Sequence, residues 1–372
     1  MHDIVLVGGG HAHLFVLEAF AKRPLDDVRL TLVAREAFAP YSGMLPGRVS
    51  GQYPIDAGEI DLQRLAGRAG ARFIHAAATA IDCGRREVAV EGHPPIPYSL
   101  LSLDIGIVPD VSAIGGAEAH GLLVKPISTF RQRFERLVDG LDDGRIRHLA
   151  VVGGGPAGFE LAQALRRRAN FSAACKGHNV AITLAAGTTL LAGLPERARR
   201  LARHSLQDAG IGCIEGARVA SIGPGRVVLD DGRQIDADEA IVTTAAAAPA
   251  LFRDAGLAVD GGGFLAVRPT LESASDDRIF GAGDCVGLLG QERPKAGVFA
   301  VREGVVLAEN LRRAALGRPL RRYRAQKAHL MLLALSDGDA IAVRGRLALQ
   351  SSIAFRLKDW IDRGFVDRFS AR

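Results

Sequence analysis

The 372-residue sequence predicts an α/β fold in which one unit (strand, glycine-rich turn, helix, second strand) is built twice. Unbroken apolar runs at Ile4–Val7 and Leu149–Val152 read as strands buried on both faces, as in a parallel sheet. Each run leads directly into three glycines, Gly8-Gly9-Gly10 and Gly153-Gly154-Gly155, and then into a helical stretch. At roughly 100–200 residues per domain, the length predicts two or three domains.

Taken in order, the first unit has a helix from about residue 11 to 21, ended by Pro24, and a strand over Val28–Val33. Arg72–Ile81 and Arg86–Glu91 read as strands of a β-meander, followed by the apolar run Leu100–Val108, which Pro109-Asp110 closes. In the second unit Pro156 opens a helix over about 157–168, residues 170–179 form an irregular insertion, and Val180–Leu184 is a strand. Further strand-like segments lie at 212–222, 226–229 and 239–244. Arg278–Phe280 is a short strand leading into Gly281-Ala282-Gly283-Asp284, and Arg302–Ala315 is a helix. In the tail Leu349, Ile353, Leu357, Ile361 and Phe365 recur every four residues, with Trp360 alongside and Arg356, Lys358, Arg363 and Arg368 on other faces. This predicts a basic amphipathic helix within 347–369, suited either to an anionic membrane surface or to packing on the body or a second subunit.

Composition narrows the function. Apolar residues make up 48% and charged residues 24%, as expected for a chain with a sizeable core. The net charge is +6, but arginine is spread along the chain and aromatics are only 5%, so no basic stripe with stacking rings is present and nucleic-acid binding is not expected. The four cysteines, Cys83, Cys175, Cys213 and Cys285, form no CxxC and no metal-ligand spacing, so no metal is expected and a reducing compartment is. No run of ~18 apolar residues and no signal-peptide pattern is visible, so the expected location is cytoplasmic.

The glycine turns carry the chemistry. A dinucleotide pyrophosphate needs close backbone approach and amide donors at a helix start, which G-x-G-x-x-G/A supplies. Gly153, Gly155 and Gly158 match fully, with Pro156, Ala157 and Glu160 in the same VVGGGPAGFELA stretch. At the first turn Gly8 and Gly10 match but His13 replaces the third glycine. It is either a packed, hydrogen-bonded histidine or, with His11, a contact to the cofactor or substrate. An acid ~20 residues on ordinarily grips the adenosine ribose. The first unit offers Glu36 beside Arg35; the second ends in Ala185-Ala186-Gly187, with no acid. Arg197, Arg199 and Arg200 either meet a 2′-phosphate there or are solvated, so the choice between NADH and NADPH is open.

In that order, VLVGGGHAH, VVGGGPAGFE and IFGAGDC resemble the two-dinucleotide-binding-domain flavoproteins of the pyridine nucleotide-disulfide oxidoreductase superfamily. The resemblance implies two Rossmann-like domains, an FAD domain interrupted by an inserted NAD(P) domain: FAD segments 1–110 and 249–320, a nucleotide domain 111–248 and a small C-terminal region 321–372. APYSGMLPGRVSGQY (39–53), LLSLDIG (100–106) and RPKAGVFAVREGVVLAENLRR (293–313) are similar to a type II NADH dehydrogenase-like subgroup. Its members occur fused to, or encoded near, selenide, water dikinase (selenophosphate synthetase), which implies a functional link to that enzyme.

What the resemblance implies for the site is specific. FAD would be met by Gly8, Gly10, His11, His13, Arg35, Glu36, Tyr41, Ser42, Gly43, Ala78, Gly106, Gly283, Asp284, Lys295 and Ala296. NADH or NADPH, as co-substrate, would be met by Gly153, Gly155, Pro156, Ala157, Gly158 and Glu160. Asp284 would bond the ribityl or phosphate region, Tyr41–Gly47 would flank the isoalloxazine ring, and Lys295-Ala296-Gly297 would lie at its pyrimidine end. The expected reaction takes hydride from NAD(P)H to flavin and passes electrons to a quinone-like or other small acceptor. Disulfide reductases of this fold use a cysteine pair close to the flavin, and neither CxxC nor CxxxxC is present. Cys175 is the candidate reactive thiol, and Cys285 reads as a small buried residue. A selenium- or sulfur-compound reductase and a non-catalytic flavin-binding regulator are the alternatives. If the tail meets a membrane, the protein would sit peripherally on its inner face.

Overall fold

The computed structural model describes residues 2–370 apart from 126, 177, 178, 244, 245 and 327; the side chains at 127–129, 173–176 and 246 are likewise outside the description. Strands β1 (His2–Val7) and β2 (Val28–Ala34) flank helix α1 (His11–Lys22), and Arg72–His75 (β3) and Leu100–Leu103 (β4) extend their sheet on either side. Ile4 pairs in parallel with both Leu30 and Leu100. Residues 4–7 are buried, as an apolar run without alternation requires.

The second sheet contains Gly121–Leu123 (β5), His148–Val152 (β6), Ala181–Gly187 (β7), Ile211–Glu215 (β8) and Glu239–Val242 (β9). Helix α2 (Pro156–Lys176) follows β6, and α3 (Glu196–Asp208) follows β7. All five strands are parallel, in the order β5-β9-β6-β7-β8. The chain then returns: Ile279–Gly281 (β10) completes the first sheet in the order β10-β4-β1-β2-β3. A fold of two Rossmann-like units, the second inserted into the first, is therefore what the structure has. Val108–Pro109 and Ala246–Ala247 pair antiparallel, so the outgoing and returning chain form one short ribbon.

Helix α4 (Gly297–Ala315) lies on α1, close enough that a Cβ on Gly304 would meet the Ala12 backbone at 2.9 Å. Strands β11 (Leu330–Ala334), β12 (Ala340–Arg344) and β13 (Leu347–Ser351) form an antiparallel sheet, followed by α5 (Ser352–Ser370). Leu333, Ile341 and Val343 join the core of the inserted unit, while Phe369 joins that of the first. The C-terminal region thus ties both units together.

Several expected elements differ. The proposed insertion at 170–179 is helical as far as Lys176, because no glycine or proline interrupts the chain between Phe159 and Gly177. The segment 72–81 divides at 76–77: β3 joins the parallel sheet, and Ala78–Asp82 begins a separate antiparallel sheet with Glu87–Val90 and His93–Pro97. The segment 212–222 divides likewise into β8 and the antiparallel strand Val219–Gly223. Leu349 lies on β13, not on the helix; its exposed face is shared with Leu347 by period-two alternation.

Candidate functional site

Backbone conformation and packing shape the first glycine turn. Gly8 has φ +99°, which disfavours any side chain, and a Cβ on Gly9 would strike Leu62. A Cβ on Gly10 would run into the carboxylate of Asp104. Asp104 is buried at the start of α1, where its Oδ2 accepts the amides of Ala12 (2.8 Å) and His13 (3.1 Å). Burial raises this carboxyl to about 8 despite those two bonds, and Asp284 and Glu303 push it the same way. Among the described hydrogen bonds the amides of Gly9 and His11 take no protein acceptor, so they are the donors this turn can offer a diphosphate. Asp104 was present in the LLSLDIG string but carried no expected role. The available signal was an acid closing an otherwise apolar strand.

His13 is fully buried, with Nδ1 2.7 Å from the Gly8 carbonyl and Nε2 2.8 Å from Ser102 Oγ. A carbonyl only accepts, so Nδ1 carries the proton and Nε2 accepts from the serine hydroxyl. Burial pulls the imidazole down to about 4, leaving it neutral. His13 therefore bolts the glycine turn to β4, and the packed reading is the one the structure supports. His11 lies nearer the site: its ring is 5.5 Å from Tyr41 and 5.4 Å from Phe365, and burial lowers its pKa too. Arg35 is exposed and Glu36 half-buried just after β2; Ala78 begins the antiparallel sheet, and Gly106 has φ +71°.

The returning segment, expected to complete the FAD domain, meets the same acid. Gly283 has φ +77°, and a Cβ there would also run into Asp104. The Gly283 amide donates to Glu303 Oε2 at 2.8 Å. Glu303 is locked to Arg293 at 2.7 Å with both side chains buried, and Arg293 Nη2 returns to the Gly283 carbonyl at 2.9 Å. Burial raises Glu303 to about 7. Asp284 Oδ1 is buried with no hydrogen-bond partner, an unmet acceptor of the kind a ribityl hydroxyl would satisfy. On that observation, together with the open amides of the first turn, the residues fit FAD. The Lys295 ammonium donates to the Val286 carbonyl at 2.5 Å and lies 3.6 Å above the Phe264 ring. The N-cap Ala296 of α4 makes no side-chain bond, so the positive end of this helix could meet the flavin's pyrimidine end.

Tyr41 stacks on Phe365 at 4.4 Å, and its hydroxyl donates to Asp362 at 3.1 Å. Lys358 donates to the Gly43 carbonyl (3.1 Å) and to Asp362 (3.0 Å), and lies 3.8 Å from Glu160 of α2. Ser42 is exposed. This face of α5 covers the loop expected beside the flavin. Its other face leaves Ile353 75% and Trp360 70% exposed, beside Leu357 and Ile361. Lys358, expected on the basic face, is instead half-buried in the clamp.

At the second turn Gly153 has φ +123°, and a Cβ on Gly153, Gly154 or Gly158 would meet Thr243, the Ala186 carbonyl or the Gly153 carbonyl. A Cβ on Gly155 would meet nothing, and Gly155, Pro156 and Ala157 are exposed. That opening at the start of α2 is where a diphosphate has access. Glu160 is raised by burial and accepts the Ala334 amide at 2.9 Å, so it faces β11 and α5.

Among the described residues Cys83, Cys213 and Cys285 are free thiols. Burial pushes the Cys285 thiol well above its usual range, and Cys213, although exposed, is raised to about 11 by partial desolvation and by the Glu215 carboxylate, which suppresses both thiolates. The side chain of Cys175 lies outside the described residues. Among the described residues no group of His, Cys, Asp or Glu could hold a metal, and no helix is long and apolar enough to cross a membrane.

The family model described as pyridine nucleotide-disulphide oxidoreductase matches residues 2–304. An NADH dehydrogenase-like protein of Bacillus subtilis is 26% identical over 294 residues, 77% of this chain and 78% of that one. Demethylphylloquinone reductase of Synechocystis is 25% identical over 360 residues, 92% of this chain and 87% of that one. Among solved structures, NDH2 of Plasmodium falciparum in complex with NADH superposes with a TM-score of 0.83 at 13% identity, covering 99% of this chain and 97% of that one.

Proposed function

Because the chain belongs to the pyridine nucleotide-disulphide oxidoreductase family, we propose that it is an FAD-dependent NAD(P)H dehydrogenase reducing a quinone-like small acceptor. We assign FAD binding to 1–110 and 249–320, nucleotide binding to 111–248, and a covering role to 321–372. Bound FAD supplies a hydride acceptor that can release its electrons in a later step. The chain supplies position. The open turn at Gly155 seats the nucleotide, the amides of Gly9 and His11 with Asp284 Oδ1 seat the flavin, and the Arg293–Glu303 pair fixes the Gly283 loop.

The observation that carries the acceptor class is α5: it clamps the Tyr41–Gly43 loop with one face and presents an apolar stripe with the other. An apolar acceptor dissolved in a membrane would be reached from such a stripe, with exposed Arg356 favouring an anionic surface. The quinone reductases among the relatives agree with this class. The described thiols disfavour a sulfur or selenium acceptor, since Cys285 is buried and Cys83 and Cys213 sit in different units. The link to selenophosphate synthetase rests on the sequence resemblance alone.

The test is anaerobic. NADH or NADPH should bleach the oxidised flavin of the purified protein, and a soluble quinone should restore its colour faster than a disulfide does. A flavin-loaded protein that both nucleotides leave oxidised would sink the dehydrogenase; reoxidation by disulfide alone would sink the quinone assignment.

A further inference from the structure

A dinucleotide seated at the turn after β6 extends its adenosine half over the end of β7, where a carboxylate ordinarily grips the ribose and repels a 2′-phosphate. Here β7 ends in Ala185-Ala186-Gly187. The register partner of Gly187 on the neighbouring strand is Glu215, the last residue of β8. Glu215 Oε1 accepts the Leu190 amide at 2.7 Å, and the next amide, Leu191, donates to the Gly154 carbonyl at 2.7 Å. One short loop therefore joins this carboxylate to the nucleotide turn.

Arg203 of α3 closes on Glu215 through two bonds, Nε to Oε2 at 2.8 Å and Nη2 to Oε1 at 3.2 Å, and lies 3.4 Å from Glu196. Glu196 in turn holds Arg199 at 2.5 Å. Both arginines are thus occupied by carboxylates, while Arg197 and Arg200 lie on the exposed face of α3. The Arg203 bond holds the Glu215 carboxyl below its usual range, so its charge is present near neutral pH. Oε2 accepts one bond from the protein and has a lone pair left for a ribose hydroxyl.

We propose that Glu215 makes the nucleotide site selective for NADH over NADPH, by placing at the end of β8 the negative charge that β7 lacks and by withholding Arg203 from a 2′-phosphate. This rests on the nucleotide-binding reading above. The acid missing after β7 is made good from the adjacent strand. A 2′-phosphate placed beside Gly187 would meet the Glu215 carboxylate, whose partner Arg203 is already engaged, and like charges brought together reject the wrong ligand.

Equilibrium binding of NADH and NADPH to the FAD-loaded protein, with displacement by 5′-AMP and by 2′-phospho-AMP, tests it. The wild type should bind NADH about tenfold or more tighter than NADPH, a ratio that one unfavourable charge contact can produce. Glu215→Gln keeps an acceptor for Leu190 but releases Arg203, and should narrow the ratio by about tenfold. Arg203→Gln leaves the carboxylate uncompensated and should widen it, so the test survives if either variant fails to fold. Equal affinities in the wild type, a preference for NADPH, or ratios that neither substitution moves would overturn the proposal while leaving the dehydrogenase intact. Binding of neither nucleotide would remove both.

Discussion

A single carboxyl, Asp104, fills the space that side chains on Gly10 and Gly283 would occupy, so one residue sets how closely these two glycine loops approach. Its folded-state value of about 8 stands above the ordinary 3.8, which means the folded protein holds this proton more tightly than the unfolded chain. The associated stability is present in full below the ordinary value and is lost as pH rises through the folded one. Melting temperatures of wild type and Asp104→Asn should therefore diverge between pH 3.8 and about 8, the wild type losing more of its margin as pH rises. Parallel curves would show that Asp104 does not titrate in this window. No reading of the sequence found this residue, because its partners, the amides of Ala12 and His13, are about ninety positions away. His13 was legible only in part. That it breaks the glycine pattern is visible locally; that it bonds Ser102 is not.

At the scale of elements, the strand–turn–helix units were legible because a buried parallel strand and a glycine turn are both local patterns. The errors came where one pattern spans two elements. Residues 72–81 read as one strand, yet belong to two sheets that approach from different directions. Leu349 fell on the four-residue rhythm of the tail helix, although alternation with Leu347 was an equally good reading. Helix α5 depends on aromatic contacts in its C-terminal half: Phe365 stacks on Tyr41 and meets Phe369 edge-on at 5.2 Å. Phe365→Ala should cost about 2–4 kcal/mol of stability through the cavity it leaves. Hydrogen exchange across 352–370 should quicken, and unchanged protection there would mean that the Lys358 and Arg368 ion pairs alone hold the helix.

For the whole molecule, the inserted unit hangs on the ribbon at 108–109 and 246–247, and the C-terminal region closes the assembly from the other side by packing into both cores. The result is one apolar stripe facing outward beside the covered loop. Flotation with anionic vesicles should carry the wild-type protein, and the pair Ile353→Asp and Trp360→Asp should abolish that without loss of flavin. Equal partitioning of both proteins would assign the stripe to some other contact.

The sequence by itself determined the two nucleotide turns, the return of the chain to its first sheet and the absence of CxxC and CxxxxC pairs, since each is written in contiguous residues or in their order. Only the tertiary structure decided what surrounds those turns: Asp104 between two loops, Glu215 beside Gly187, Lys295 bonded to Val286, and α5 clamped on Tyr41. The physical reason is distance along the chain. A hydrogen bond or ring contact between residues hundreds of positions apart has no local pattern, and burial, which sets both its strength and the charge of its members, exists only once the chain has folded.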